Sequence, residues 1–201
     1  MAVSAYQHLL EHVGDGGLTL TGANYLKPSD VRVIADGLPS MAEWIFPITR
    51  EVNVLPVHGF RVSAERLGLV RRRQGSLSLT RAGRDARNDP RLLWDRLRQR
   101  LLPTAPAFDV AAGAIVALHL ATTPRFAIDS QDISHILTAL GWAHAGGRPV
   151  LASDVIAVRN TLWDCVGNVG PWAGTRWERR LSQDAVSLIR DALVTQVPLE
   201  G

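Results

Sequence analysis

The stretch Leu55–Arg84, LPVHGFRVSAERLGLVRRRQGSLSLTRAGR, decides how the chain is read. Val57, Phe60, Ala64 and Leu67 recur at three- and four-residue spacing, which lines one face of a helix over 55–67. Pro56 falls in its first turn, where a missing N–H costs nothing. Gly68 closes it, because glycine takes the left-handed conformation without a Cβ penalty. Val70–Arg73, the pair Gln74-Gly75 and the alternating Ser76-Leu77-Ser78-Leu79 predict two short strands around a tight turn. Thr80 offers a side-chain oxygen to cap the next helix. A helix followed by a basic two-stranded ribbon is the second half of a winged helix-turn-helix.

Working outward, Tyr6–Val13 predicts a first helix with Leu9, Leu10 and Val13 inward, ended by Gly14-Asp15-Gly16-Gly17. Leu18–Thr21 alternates as a short strand, expected to pair with the hairpin although residues 22–68 intervene. Ser29-Asp30 signals a helix through Ala35, and Met41–Phe46 one further turn stopped by Pro47. The order helix, strand, helix, helix, strand, wing, strand is the winged-helix order.

Beyond the hairpin, Arg81–Arg87 and Arg91–Leu101 read as helices, with Asp89-Pro90 opening the second. Pro103, Thr104 and Pro106 mark a boundary between a unit at 1–102 and another at 107–201. In the second unit Phe108–Thr122, Ile133–Leu140 and Val155–Val166 predict helices, the last with Ile156, Leu162, Trp163 and Val166 apolar. Thr175–Leu181 predicts a strand, and Ser182 caps a final helix to about Val194. Gly146-Gly147 followed by Ser153-Asp154-Val155 parallels Gly16-Gly17 followed by Ser29-Asp30-Val31. That echo reads as a second, degenerate winged-helix-like unit, with an ordinary helical domain as the alternative. The fold class expected is mainly α with small β-hairpins, α+β.

Charge is distributed unevenly. Residues 1–60 carry three basic and six acidic side chains, residues 61–100 twelve arginines against four acids, and residues 101–201 seven arginines against nine acids. The positive potential is thus concentrated on the hairpin and its flanking helices. No apolar run reaches the ~18 residues of a membrane span, and the N-terminus lacks a basic signal region. Cys165 is the single cysteine, which excludes an intramolecular disulfide and fits a cytoplasmic setting.

Candidate chemistry is sparse. His8-Leu9-Leu10-Glu11-His12 matches the H-x-x-E-H pattern of inverted zinc peptidases, which places both histidines on one helical face with Glu11 as base. No third ligand is nominated nearby, so a metal-dependent hydrolase ranks third among the readings and a plain histidine pair ranks above it. Gly14–Gly17 follows a helix and precedes a strand, the reverse of a dinucleotide-binding loop. Ser29-Asp30 and Ser153-Asp154 read as helix caps, not nucleophiles. Trp142, Trp163, Trp172 and Trp177 read as packing, with stacking on a ligand as the alternative. No catalytic, cofactor or metal residue is assigned.

From Arg50 onward the chain resembles an uncharacterised actinobacterial family, similar to the C-terminal region of plasmid open-reading-frame-three-like proteins. The matching elements are Arg50-Glu51, Leu55-Pro56-Val57, Leu67-Gly68-Leu69, Gly75, Leu77 with Leu79-Thr80, Gly83-Arg84, Asp89-Pro90 and Leu93-Trp94. Upstream, GLTLTGANYLKPSDV resembles the same family's N-terminal signature. The likeness covers most of residues 5–102 and thins to Leu140-Gly141-Trp142, Gly147-Arg148-Pro149 and the final helix. It implies the domain layout and a bacterial cytosolic setting, and it transfers no catalytic residue.

Function then rests on the arginines. With its apolar face inward, a recognition helix at 55–67 is expected to expose His58, Arg61, Glu65 and Arg66. The wing carries Arg71, Arg72 and Arg73, and Arg81 and Arg84 open the following helix. Arginines so placed reach phosphates, a minor groove or base edges. The leading expectation is a cytoplasmic bacterial DNA-binding or transcription-associated protein, without catalysis, on duplex DNA through His58, Arg61, Arg66, Arg71, Arg72, Arg73, Arg81 and Arg84. The alternative is a protein-interaction module on the same fold, docking an acidic protein. No membrane partner is expected, and a homodimer is one assembly open to it.

Overall fold

A computed structural model describes residues 2–123, 129–174 and 179–196. Among these residues the chain is mainly helical with one small antiparallel sheet. The order is α1 (Ser4–Val13), β1 (Leu18–Thr19), α2 (Pro28–Asp36), α3 (Leu55–Arg66), β2 (Val70–Arg73), β3 (Ser76–Leu79), α4 (Arg81–Arg87), α5 (Pro90–Arg100), α6 (Ala107–Thr122), α7 (Ser130–Ala139), α8 (Ala152–Val166) and α9 (Gln183–Gln196). Short 3-10 turns lie at Pro39–Met41 and Glu51–Asn53.

The sheet order is β1-β3-β2. β1 pairs antiparallel with β3 in the register Leu18 to Leu77 and Thr19 to Ser76, so the long-range pairing expected from the sequence is present. The hairpin turns on Gln74 (φ 50°) and Gly75 (φ 72°), and two positive φ values in succession give the turn whose twist suits a two-residue hairpin. Thr80 Oγ1 accepts from the Gly83 N–H at 3.0 Å, and Asp89 Oδ1 accepts from the Arg91 and Leu92 N–H groups at 2.8 and 3.3 Å. Those caps start α4 and α5 as expected. Ser182 Oγ likewise accepts from the Ala185 N–H at the entry to α9.

Several local expectations are corrected. The turn expected at Met41–Phe46 begins further upstream: the 3-10 turn Pro39–Met41 runs on into a turn closed by the Trp44 N–H to the Met41 carbonyl at 3.0 Å, and it ends before Phe46. α2 begins at Pro28 without a side-chain cap, and Asp30 pairs instead with His12 at 3.1 Å. Asp154, not Ser153, serves the start of α8, accepting from the Leu151 N–H at 2.8 Å. Ile156 faces outward at 38% exposure while Val155, Val158 and Cys165 are buried, which turns α8 about one position from the expected face. Of the strand expected at 175–181, residues 175–178 lie outside the described residues; Ala173 and Arg180 form an isolated antiparallel bridge.

One buried apolar cluster runs through both sides of the Pro103–Pro106 segment. α3 packs on α8, and α5 on α9. Tyr6 stitches this junction. Its ring lies 4.7 Å from Phe60, and its hydroxyl donates to the Cys165 carbonyl at 2.9 Å. Among the described residues no helix is long and apolar enough to cross a membrane.

Candidate nucleic-acid interface

Three sides of α3 meet three different environments. Val57, Phe60, Ala64 and Leu67 are buried in the core. Gly59, Ser63 and Arg66 turn toward α8, so closely that a Cβ on Gly59 would lie 2.6 Å from the Asp164 carboxylate. Leu55, His58, Val62 and Glu65 follow one another at helical spacing on the remaining side.

Arg61, expected to face solvent, is 1% exposed. Its Nε donates to Glu51 Oε1 at 2.6 Å and its Nη1 to Glu65. Glu51 is fully buried, and it also accepts from the Leu26 N–H at 2.5 Å, with His58 Nδ1 at 2.9 Å from Oε1. A guanidinium taken out of water needs a carboxylate with its other lone pairs satisfied, and Glu51 meets that condition. Arg61 therefore ties α3 to the 3-10 turn at Glu51–Asn53, and through Glu51 to the Leu26 N–H ahead of α2. It has no free face for a base edge.

Arg66 is corrected for a different reason. Its Nη1 donates to the Arg100 and Leu101 carbonyls at 3.2 and 3.0 Å, and its Nη2 lies 2.8 Å from Cys165 Sγ. A cation at the carbonyl end of α5 complements the helix dipole. The side chain clamps α3, α5 and α8 together. His58, 36% exposed, is held between Glu51 and the Tyr25 ring, with centroids 5.9 Å apart.

The β2–β3 hairpin keeps its charge outside. Cross-strand partners share a face, so Arg72, opposite Leu77, points to the core side, while Arg71 and Arg73, opposite Ser78 and Ser76, point away. Arg72 reaches past the core edge to Glu65, with Nε to Oε2 at 2.9 Å. Among the described residues Arg71 and Arg73 are exposed and have no carboxylate within ion-pair distance. Arg81 is exposed, 4.0 Å from Asp85, and Arg84, also exposed, donates to the Leu79 carbonyl at 3.2 Å. The structure thus brings Arg71, Arg73, Arg81 and Arg84 to the surface at the hairpin and α4, and withdraws Arg61 and Arg66.

His8 and His12 both turn to α2. His8 Nε2 lies 2.7 Å from the Val33 carbonyl, and His12 Nε2 3.1 Å from Asp30. Among the described residues no three His, Cys, Asp or Glu side chains are gathered as a metal site. Trp142 packs edge-on against Phe108 and Trp163 against Trp172; Trp177 lies outside the described residues.

Asp164 carries no local motif in the sequence, and its place is set by the packing of α8 on α3. Half-buried at the α3–α8 contact, its carboxyl is pushed up to about 6 by burial, against the pull of His58 and Arg66. A folded-state value above the ordinary one means the folded state holds the proton more tightly. The carboxylate therefore costs stability above pH 6, and that cost vanishes as pH falls through the ordinary carboxylate range. Asp164→Asn is expected to raise stability at pH 7 by about 1 kcal/mol, the full shift being discounted for partial solvation. Urea melts at pH 7 and pH 4 check it: most of the gain should be gone at pH 4. Comparisons with family models, with curated proteins and with solved structures found no match.

Proposed function

We propose that this chain is a non-catalytic duplex-DNA-binding protein of winged-helix layout, holding phosphates through the outer face of its wing. The observation that carries the reading is the pair Arg71 and Arg73, exposed and without carboxylate partners among the described residues, with Arg81 and Arg84 also exposed on the helix that follows the hairpin. The element order and the β1-β3-β2 sheet support the layout. Phosphate contacts of this kind position a protein without reading sequence. With Arg61 and Arg66 spent on internal carboxylate and carbonyl groups, α3 offers no arginine to base edges, so the binding is sequence-tolerant.

A random duplex titrated at several salt concentrations tests this. Each neutralised phosphate contributes about −0.9 to the slope of log affinity against log salt, so Arg71→Ala with Arg73→Ala should flatten the slope by about 2 units. Arg72→Ala, which removes a residue already paired with Glu65, should leave the slope nearly unchanged. A folded double variant with unaltered affinity and slope excludes the wing as a DNA contact.

One observation favours a second reading, a protein-docking face. Leu55 is 69% exposed and Val62 42% on the open side of α3, near Val52 in sequence at 49%. Absence of any salt-dependent DNA binding by the parent protein would give this reading the lead.

A further inference from the structure

Four buried side-chain polar atoms among the described residues have no hydrogen-bond partner: Ser40 Oγ, Trp44 Nε1, Arg179 Nε and Arg66 Nε. The first three belong to residues that line a single cleft of about 310 Å³. Its walls come from both sides of the molecule, with residues 40–44 and the α3 start (Leu55, Pro56) facing the end of α8 and the segment that follows it. A second cavity of about 200 Å³ shares Ser40, Glu43, Trp172 and Arg179 with it. Unpartnered buried donors are costly to leave unmade. Three residues lining one concave, partly apolar cleft carry such donors beneath its surface, a polar set of the kind that marks a small-molecule site.

The lining also selects a chemistry. Trp44, Trp163 and Trp172 supply aromatic surface, Trp163 and Trp172 lying edge to face with centroids 5.7 Å apart. Arg179 rests 4.6 Å over the Trp172 ring and pairs with Glu43. An indole N–H and a guanidinium Nε–H can only donate, so the ligand must carry acceptors. Glu43 and Asp164 outnumber Arg179 among the charged lining residues, which disfavours an anion and leaves the Asp164 carboxylate as an acceptor for a ligand N–H. We propose that this cleft binds an uncharged, planar heteroaromatic lactam of one or two rings. Its ring packs on the tryptophans, its carbonyl takes the N–H groups of Trp44 and Arg179, and its own N–H faces Asp164. The three orphan atoms are closed off from solvent, so the ligand reaches them by a small rotation of the Trp44 and Arg179 side chains. Because the cleft joins the α3 start to the end of α8, occupancy would tighten the contact between the two sides.

Hypoxanthine and 2-quinolone, which carry both a carbonyl and an N–H, are the probes. Indole, planar but without an acceptor, and indole-3-acetate, an anion, are the controls. Tryptophan fluorescence and calorimetry on the full chain should show saturable binding of both lactams, weaker binding of indole and the weakest of indole-3-acetate. Trp44→Phe keeps the ring and removes the N–H, and should weaken the lactams about fivefold, the worth of one hydrogen bond, with indole unaffected. Ser40→Ala is the second variant, should Trp44→Phe melt early; it removes the third unpartnered donor of the lining, an O–H that the lactam carbonyl also takes, and is expected to weaken the lactams in the same sense. Arg71→Ala with Arg73→Ala should leave probe binding intact, which separates this site from the DNA face. No saturation by either lactam, indole binding as tightly as the lactams, or lactam affinity untouched by folded Trp44→Phe and Ser40→Ala would each overturn the proposal.

Discussion

Glu51→Ala is expected to destabilise the fold by about 3 kcal/mol, the lower end of what it costs to strand a buried charge. The substitution takes the acceptor from the Arg61 Nε, the Leu26 N–H and His58 at one stroke. Glu65 keeps the loss from being larger, because it still holds the Arg61 Nη1 from the half-exposed end of the network. Removing both charges should be gentler. Glu51→Ala with Arg61→Met leaves no orphan cation, and the double variant should recover part of the stability lost by the single one, since a buried ion pair stabilises little over apolar packing. Urea denaturation of the two singles and the double closes the cycle. A loss below about 1 kcal/mol for Glu51→Ala would mean that Arg61 finds water or another acceptor at no great cost. The same cycle bears on function, because an Arg61 that is structural should affect DNA binding only through stability.

Arg61 stands four residues after Val57 and three before Ala64, a spacing that puts it on the apolar face of α3. Residue type overrode spacing, because an arginine is almost never fully buried unless paired. Its partner Glu51 lies ten residues earlier in a 3-10 turn with no periodic signal, so nothing local announced the pair. The packing of α8 on α3 is likewise long-range. It consumed Arg66 and turned the presumed open face into one shared by Gly59 and Asp164. By contrast, the elements defined by local rules were legible: α3 itself, the Gln74-Gly75 hairpin, and the caps at Thr80, Asp89 and Ser182. Strict alternation in Ser76–Leu79 also makes the faces of the hairpin legible. It buries Leu77 and Leu79 and thereby fixes Arg71 and Arg73 outward. The cleft was invisible for another reason. Ser40, Trp44 and Arg179 converge only in three dimensions, and tryptophans in sequence look like core.

Gly83→Ala is expected to cost about 2–4 kcal/mol, combining overpacking with the loss of a helix cap. On a helix, alanine ordinarily gains up to about 1 kcal/mol over glycine, so the sign of the change is itself the test. A Cβ at Gly83 would sit 2.0 Å from the Leu69 carbonyl oxygen and 3.0 Å from its carbon. That carbonyl cannot simply move aside. It accepts from the Thr80 N–H at 3.0 Å, while Thr80 Oγ1, which donates to the neighbouring Gly68 carbonyl at 2.7 Å, accepts from the Gly83 N–H. Relieving the clash therefore means lifting α4 from the residue that leads into β2, breaking the cap and loosening the base of the wing. The absence of a side chain at Gly83 is what lets α4, which carries the exposed Arg81 and Arg84, approach the hairpin. Chemical denaturation compared with Ala82→Gly, which should lose only the propensity term of about 1 kcal/mol, separates the clash from backbone preference. A Gly83→Ala protein as stable as the parent would show that α4 can withdraw from Leu69 freely, and that the basic surface at the wing is not rigidly built.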